Sequence, residues 1–367
     1  MILDKVMQRK SVELNATTFR RQNFFILFAV FFDKQHLDRL RHILNRRILI
    51  FRWLPTFFQQ QKLRFYLMLK ISIINLLKSK LALFMGILIC FATLIPLSTG
   101  KASDAFVFTA IPDEDESRLR QRFNKVASYL ESKLGVAVTY IPVKSYAAAV
   151  AAFRNDQVQL AWFGGLSGVR ARILVPGSEA IAQGFEDQAF FNYFIAHSST
   201  GLMRSDEFPK NIAGKIFTFG SKGSTSGRLI PEFHIRKNLK KAPNDVFQKV
   251  GFSGNHTRTI QLVQSGAYQV GAVNSKVWET EMKAGKIDSS KVSIIWKTPP
   301  YPNYQWSIRG DVDKRWGSGF KNRVREVLLN IKDPDLLASF PRTSFVPASN
   351  SDYQPILDVA KAIKLID

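Results

Sequence analysis

Short apolar segments alternate with segments of helical spacing throughout residues 106–367, and this alternation restricts the fold more than any other feature of the sequence. The segments FVFTA (106–110), VAVTYIP (136–142) and VQLAWF (158–163) are typical of buried strands. Helical spacing follows each of them, and Gly135 ends the first predicted helix. A strand–helix alternation of this kind predicts an α/β fold with a parallel sheet and helices on both faces.

The alternation begins again at about residue 215, so the sequence contains two α/β halves. Further strands are predicted at 215–220, 246–252, 268–273 and 292–296, and helices at 223–236 (after a loop), 256–264, 275–283, 314–330 and 353–366. A proline-rich return at 298–300 precedes the last two helices. Two halves of this type predict two lobes with a cleft, and ligands of such sheets bind beyond the carboxyl ends of the strands.

About half of the formal net charge of +23 lies at the front of the chain. Residues 1–67 carry 13 Lys/Arg and 4 Asp/Glu, residues 68–105 carry 4 and 1, and residues 106–367 carry 35 and 24. The excess in the last segment is a diffuse field that favours anionic ligands. The sequence has no basic helix, RNP motif or zinc finger, so nucleic-acid binding is not expected.

Cysteine and histidine usage excludes several further classes of protein. Cys90 is the single cysteine, which rules out a disulfide framework and a Cys-rich zinc site. The five histidines show neither HExxH nor HxH spacing. We therefore predict no metal site and no cofactor.

Residues 68–105 have the organisation of a secretory signal peptide. Lysines precede the uncharged apolar segment 81–97, and small residues follow it, so cleavage is expected near Ala105. The alternative is a single membrane anchor, because 17 apolar residues is the lower limit for a spanning helix. Residues 1–67 are interpreted as an over-long start ahead of Met68, with a basic membrane-proximal extension as the alternative.

The loop GSKGSTSGR (220–228) follows a predicted strand, leads into a helix and carries the strongest chemical signal. Glycines permit tight turns, and the consecutive hydroxyls of Ser224, Thr225 and Ser226 can all donate. A helix N-terminus adds unpaired N–H groups and a positive potential. Together these donors predict a site for a tetrahedral oxyanion, and the alternative is an N-capped helix after a flexible loop.

The same loop departs from two catalytic motifs. A P-loop requires Gly-Lys-Ser/Thr, whereas Ser224 follows Gly223. A nucleophile elbow requires a serine at the centre of 223–227, where Thr225 stands. We therefore predict binding without catalysis and assign no catalytic residue. An enzyme on the same lobed fold would need a general base, for which His256 is the only candidate.

Four more candidate residues lie at or after the ends of predicted strands. His256 begins a helix, where it could donate to an anion or cap that helix. Asn274 closes the strand at 268–273, Tyr146 follows a second strand and Trp162 ends a third. Aromatic residues at strand ends are more often core residues than ligand contacts, so their position alone leaves both interpretations open.

Four linked segments resemble the phosphate/phosphite/phosphonate ABC-transporter substrate-binding proteins, the PhnD-like family. They are SYAAAVAAFRNDQVQLAWFGGLSGV (145–169), GSKGSTSGRLIPEF (220–233), FSGNHTRTIQLVQSGAYQVGAVN (252–274) and WKTPPYPNYQWSIRGDV (296–312). The resemblance extends over essentially all of 106–367 in the same order, and four linked motifs make it specific.

This resemblance implies a type 2 periplasmic binding protein fold, in which two Rossmann-like lobes joined by a two-strand hinge close over the ligand. We expect one lobe from 106–198 and 300–367 and the other from 199–299, joined near 197–200 and 298–304. The resemblance also implies a monomer in the periplasm that delivers a small phosphorus oxyanion to the permease of an ABC importer.

The resemblance further implies that the three loop hydroxyls bind oxygens of the phosphorus group, with roles for Tyr146, His256 and residue 274. Relatives that bind aminoalkyl phosphonates commonly carry an aspartate at the position matched by 274, whereas this chain has Asn274. That difference weakens an amine-binding interpretation.

The segment YPNYQW (301–306) is similar to that of the phosphite-type branch of the family. We expect four aromatic residues to crowd the space beyond the oxyanion, namely Tyr146, Trp162, Tyr193 and Tyr304. Phosphite or methylphosphonate is therefore the expected ligand. The alternatives are a broader phosphonate- or phosphate-binding protein and a membrane-tethered anion sensor.

Overall fold

The computed structural model describes residue 68 and residues 105–366. The chain forms two units that divide after Thr99, and of the first unit only Met68 is described, as an exposed helical residue. The predicted extension at 1–67, the predicted signal peptide and Cys90 lie outside the described residues, apart from Met68 itself and Ala105.

The second unit contains eleven strands and eleven α-helices among its described residues. The strands are β1 (Phe106–Ala110), β2 (Val138–Tyr140), β3 (Leu160–Phe163), β4 (Glu179–Gly184), β5 (Asn192–His197), β6 (Ile216–Phe219), β7 (Lys249–Phe252), β8 (Val270–Asn274), β9 (Val292–Lys297), β10 (Gln305–Ile308) and β11 (Phe345–Pro347). The helices are α1 (Glu116–Leu134), α2 (Tyr146–Arg154), α3 (Gly165–Leu174), α4 (Ile230–Leu239), α5 (Pro243–Val246), α6 (His256–Gln264), α7 (Ser275–Lys283), α8 (Val312–Trp316), α9 (Phe320–Leu329), α10 (Pro334–Ala338) and α11 (Gln354–Ala362). A π-helical turn (Thr225–Leu229) leads directly into α4.

The strands form two mixed sheets. The first has the order β11–β4–β10–β3–β1–β2 and the second the order β7–β6–β8–β5–β9. The prediction of parallel strands is wrong for part of each sheet. In the first sheet β10 is antiparallel to its neighbours β3 and β4, and in the second sheet β5 is antiparallel to its neighbours β8 and β9. Each of these two strands enters its sheet from the other lobe without a crossover helix, which parallel neighbours require.

The chain passes between the sheets twice, and the two crossing segments pair with each other. The first crossing runs over 185–191, between β4 and β5, and the second over 298–304, between β9 and β10. Phe190 and Tyr301 exchange backbone hydrogen bonds of 2.9 and 2.8 Å. The predicted boundary between 198 and 199 lies one strand too late, because β5 is hydrogen-bonded within the second sheet.

Local sequence signals explain several of the helix ends. The side chain of Asp115 accepts hydrogen bonds from the first N–H groups of α1, and Gly135 ends that helix with a φ of 69°. The single helix predicted over 314–330 is instead two helices, because Gly317 and Gly319 have φ values of 91° and 78°.

The two lobes have separate cores. Aromatic rings dominate the first, where the buried Trp306 packs 5.4 Å from Trp162 between ring centroids. The second sheet has one apolar cluster on each face, with Phe194 in one cluster and Ile195 in the other. Side chains alternate along β5, so even-numbered and odd-numbered residues of this strand face different clusters. Between residues 105 and 366, no helix combines the length and the hydropathy that crossing a membrane requires.

Candidate ligand-binding site

The loop between β6 and α4 is closed by backbone contacts that two glycines allow. Gly220 donates its N–H to the carbonyl of Gly227 at 2.8 Å, and a Cβ on Gly220 would lie 3.3 Å from the Gly227 Cα. The Ser224 hydroxyl accepts the Gly227 N–H at 2.9 Å and so caps the π-helical turn. The hydroxyls of Ser224, Thr225 and Ser226 are consequently held together in the interior, each residue only 2% exposed.

The start of α3 in the first lobe contacts this loop directly. The N–H of Leu166 donates to the hydroxyl oxygen of Thr225 at 2.9 Å, and the neighbouring Gly165 N–H donates to the side-chain oxygen of Asn303 at 3.2 Å. Asn303 belongs to the second crossing segment. The loop, the first lobe and the second crossing therefore meet at one place, with the two lobes in contact.

His256 is positioned as a hydrogen-bond donor. The preceding Asn255 caps α6 through its side chain, so the alternative of a capping role for His256 is wrong. The Asn274 N–H donates to Nδ1 of His256 at 3.3 Å, and Nε2 lies 3.5 Å from the Ser224 hydroxyl. Burial lowers the pKa of His256 to about 3. Because a backbone N–H can only donate, the ring is neutral with its proton on Nε2, which faces the loop.

Asn274 and Tyr304 belong to a chain of hydrogen bonds that ends at Asp113, a residue the sequence analysis does not single out. The amide nitrogen of Asn274 donates to the Tyr304 hydroxyl at 2.7 Å, and that hydroxyl donates to the Asp113 carboxylate at 2.7 Å. The backbone carbonyl of Asp113 also accepts a hydrogen bond from the backbone N–H of His256 at 2.8 Å. Four residues from both lobes and the second crossing are thus connected beside the loop.

Three buried donors near the loop have no hydrogen-bond partner within the described part of the chain. They are the Tyr146 hydroxyl and the side-chain nitrogens of Asn192 and Asn303. Burial raises the pKa of Tyr146 well above its usual value, and the nearby Ser224 only partly offsets this effect. Buried donors are normally paired, so such a set indicates a ligand with acceptor atoms.

Asn192 reaches the loop through Tyr301. The Tyr301 hydroxyl donates to the side-chain oxygen of Asn192 at 3.2 Å. Burial raises the pKa of Tyr301 well above its usual value, and the nearby Ser226 partly offsets this effect. The first residue of β5 is therefore connected, through Tyr301 of the second crossing, to the surroundings of the third loop hydroxyl.

Two predicted site residues are placed differently. Trp162 is a core residue whose ring stacks on Tyr304 at 5.5 Å between centroids, and it lines the small cavity beside Asp113 and Asn274. Tyr193 is half-buried against the odd-numbered face of β5 and packs on Phe191, with ring centroids 5.5 Å apart. Asn192, on the opposite face, is the residue of β5 that bonds to Tyr301 of the second crossing.

The fold brings four residues to the site that are not among the predicted ones, namely Asp113, Asn192, Tyr301 and Asn303. Strand alternation was the available signal for Asn192, because Phe194 and Ala196 two and four positions later are core residues of the same face. Nothing comparable marks Asp113. Between residues 105 and 366, no group of His, Cys, Asp or Glu side chains could hold a metal ion.

Two lobes on separate sheets, joined by paired crossing segments and meeting over buried donors, define a substrate-binding protein of the type 2 periplasmic fold. The family model described as "ABC transporter, phosphonate, periplasmic substrate-binding protein" matches residues 108–353, and the chain belongs to this family. The family and the fold inferred from the four linked segments are thereby confirmed.

Among curated proteins, the chain is 38% identical over 264 residues to the probable ABC transporter phosphite binding protein PhnD1 of Prochlorococcus marinus strain MIT 9301, covering 70% of this chain and 89% of the relative. It is 23% identical over 275 residues to the phosphonates-binding periplasmic protein of Escherichia coli K12, covering 73% and 79%. Among solved structures, PhnD1 of Prochlorococcus marinus in complex with methylphosphonate has a TM-score of 0.69 at 37% identity, covering 72% of this chain and all of the neighbour. A phosphonate-transporter binding component of Pseudomonas aeruginosa has a TM-score of 0.62 at 19% identity, covering 71% and 86%, which shows the fold alone.

Proposed function

We propose that this protein captures phosphite or methylphosphonate between its lobes and delivers it to the permease of an ABC importer. The observation that carries the proposal is the set of donors around the loop 224–226. Three buried hydroxyls, the Nε2–H of His256 and three buried donors without partners converge there. A buried oxyanion needs most of its oxygens hydrogen-bonded, and these groups supply that number of bonds.

The acidic residues near the site are already engaged, which supports a ligand without an amine. Glu232 is buried but forms ion pairs with Arg228 and Arg236 along α4. Glu279 pairs with Lys276 at 3.1 Å on the surface. Neither carboxylate therefore provides a counter-charge for the ammonium group of an aminoalkyl phosphonate.

Asp113 is a third acidic candidate, and it is also occupied. It accepts a hydrogen bond from Tyr304, whose oxygen in turn accepts one from Asn274. An ammonium group would have to displace a hydrogen-bonded tyrosine to reach this carboxylate. The relative named as a probable phosphite binding protein and the solved complex with methylphosphonate support the same two ligands.

The geometry favours binding over catalysis. A general base needs a free lone pair, but the Nδ1 lone pair of His256 accepts the Asn274 N–H. Its other nitrogen carries the proton that faces the loop, and burial lowers the pKa of the ring to about 3. His256 is thus suited to donating to an oxyanion. The relatives are substrate-binding proteins of transporters rather than enzymes.

The remaining parts of the proposal follow from the family. The family description is periplasmic, so we propose export through the signal peptide at 68–105 and action as a monomer. A broader phosphonate- or phosphate-binding protein is the alternative among ligands, and a tethered sensor is the alternative among roles. N-terminal sequencing of the exported protein distinguishes the roles, since a start near Ala105 indicates a soluble receptor and an intact segment at 81–97 an anchor.

Titration calorimetry with four ligands tests the proposed specificity: phosphite, methylphosphonate, phosphate and 2-aminoethylphosphonate. Phosphite or methylphosphonate should bind at least about tenfold more tightly than the aminophosphonate, a difference of about 1.4 kcal/mol. Phosphate should bind more weakly if its fourth oxygen is left unpaired, which costs about 1–3 kcal/mol. A preference for 2-aminoethylphosphonate would overturn the proposal.

A further inference from the structure

We propose that Asp113 is a positioning residue whose carboxylate dictates an amide, rather than a second carboxylate, at position 274. The inference rests on the proposed function for its affinity readout only. Its basis is the direction of the hydrogen-bond chain that runs from Asn274 through Tyr304 to Asp113. Asp113 is thereby connected, through Tyr304 of the second crossing, to Asn274 of the second lobe.

The donor-to-acceptor direction of these hydrogen bonds is determined by Asn274, at the second-lobe end. The side-chain oxygen of Asn274 accepts the N–H groups of Lys276 at 2.7 Å and Val277 at 3.1 Å, as the N-cap of α7. Its side-chain nitrogen must therefore face Tyr304. Because the Tyr304 oxygen accepts this N–H, its single proton is directed to Asp113, which is an acceptor when ionised.

A carboxylate at position 274 would remove the donor to Tyr304 from this chain of hydrogen bonds. It would have no proton for Tyr304, so the tyrosine hydroxyl would face two acceptors with one proton. Both carboxylates would then lie within hydrogen-bond distance of the same oxygen in a buried place, and like charges so placed repel strongly. The amide at 274 avoids this conflict because it donates a proton to Tyr304, while Asp113 supplies the acceptor for the tyrosine's own proton.

This chain of hydrogen bonds also connects the parts of the protein that must move when the lobes close. Asp113 lies between β1 and α1 in the first lobe, Tyr304 ends the second crossing, and Asn274 ends β8 in the second lobe. The Asp113 carbonyl additionally accepts the backbone N–H of His256, and the ring Nδ1 of His256 accepts the backbone N–H of Asn274. Disturbing this ring of bonds would displace the Nε2–H that faces the loop hydroxyls.

The surroundings of Asp113 make its ionisation depend on closure. Burial, followed by the charge of Glu114, raises the pKa of Asp113 to about 7, while the hydrogen bond from Tyr304 and the charge of Arg122 lower it. Glu114 is itself paired with Arg118 and Arg122 of α1. The other titratable groups that face Asp113 or line the cavity of about 30 Å³ beside it are Tyr140, Tyr146, Lys276 and Arg342.

A double-mutant cycle tests the pairing of positions 113 and 274. Asn274→Asp alone should weaken binding of phosphite or methylphosphonate by at least about tenfold. Asp113→Asn keeps an acceptor oxygen for Tyr304 and should weaken binding less. The exchange variant Asp113→Asn with Asn274→Asp again has one carboxylate and one amide, and it should bind within about threefold of Asp113→Asn. Asn155→Asp, an exposed change of the same chemistry, is the control and should have no effect.

The same cycle is to be measured as the free energy of unfolding without ligand, so that it does not depend on the choice of ligand. If no tested oxyanion binds the wild-type protein but the two substitutions still couple in unfolding, the proposed function fails and the pairing stands. Effects that are additive in both measurements, or an Asn274→Asp variant that binds as tightly as the wild type, would overturn the pairing.

The pH dependence of affinity gives a readout that a purely structural role would not change. A carboxyl whose pKa rises on closure favours the closed form at low pH, and this advantage is lost between the lower and the higher pKa. Wild-type affinity should therefore fall as pH rises from about 4 to about 7, beyond the contribution of the ligand's own ionisation. Asp113→Asn should remove the additional slope. An unchanged slope in that variant would show that Asp113 does not couple to closure.

Discussion

The two lobes contribute to the site in different ways. The second lobe supplies the loop 220–228 and His256, which are short contiguous motifs at the starts of helices. The first lobe and the crossing segments supply single residues from distant parts of the chain, such as Tyr146, Asn303 and Asp113. The loop and the start of α6 therefore form by local folding, whereas the rest of the site exists only when the sheets and lobes are assembled and in contact.

The strongest test of this difference removes hydroxyls from the second lobe. Thr225→Ala with Ser226→Ala should weaken anion binding by about 3 kcal/mol or more, since each bond to a charged group contributes about 1.5–3 kcal/mol. Calorimetry measures the change. The matched control, Ser128→Ala with Ser132→Ala, removes two exposed hydroxyls of α1 that bond only to helix carbonyls. An unchanged affinity in the loop variant would place the anion elsewhere.

A smaller effect is expected from the first lobe, where one donor is removed at a time. Tyr146→Phe should reduce affinity about tenfold, or 1.4 kcal/mol, because a single bond to the anion is lost. The free energy of unfolding should stay within about 0.5 kcal/mol, since this hydroxyl has no partner among the described residues.

Tyr129→Phe is the opposite control for that measurement. The Tyr129 hydroxyl donates to the Val327 carbonyl at 3.0 Å and so joins α1 to α9. Its removal should lower stability by about 1 kcal/mol and leave affinity unchanged. If Tyr146→Phe instead lowered stability without changing affinity, the first lobe would not contribute this donor to the ligand.

The dependence on assembled lobes predicts a change of shape rather than of affinity. Small-angle scattering should show a more compact particle with saturating ligand than without it, with rotation about the crossings at 185–191 and 298–304. Identical profiles, with binding verified by calorimetry, would mean that the lobes are in contact before the ligand arrives.

The smallest expected effect concerns the charge of His256. Burial lowers its pKa to about 3, so the ring stays neutral from pH 5 to 8 and its donor is constant. In the Asp113→Asn background, affinity corrected for ligand ionisation should therefore be flat over this range. A step near pH 6.5, the usual histidine value, would show that His256 binds the anion in its charged form.

Helices were predicted more reliably than strands, for local reasons. The helices at 256–264 and 275–283 are observed with their predicted bounds, because Asn255 and Asn274 are N-caps that act within one turn. The strands β4, β5, β10 and β11 were not predicted. Each pairs mainly with residues far away in sequence, and a short apolar segment alone does not identify such a strand.

The sequence by itself determined the loop 220–228 and the start of α6 at His256, because glycines, hydroxyls and helix caps act within a few residues of one another. It also determined the fold family through four linked segments. The tertiary structure decided that Asn192 rather than Tyr193 bonds to Tyr301, since the parity of β5 depends on its partners β8 and β9. It also decided that Asn274 donates to Tyr304 and Tyr304 to Asp113. Those bonds join residues up to 191 positions apart, and their direction follows only from which acceptors the assembled lobes leave available.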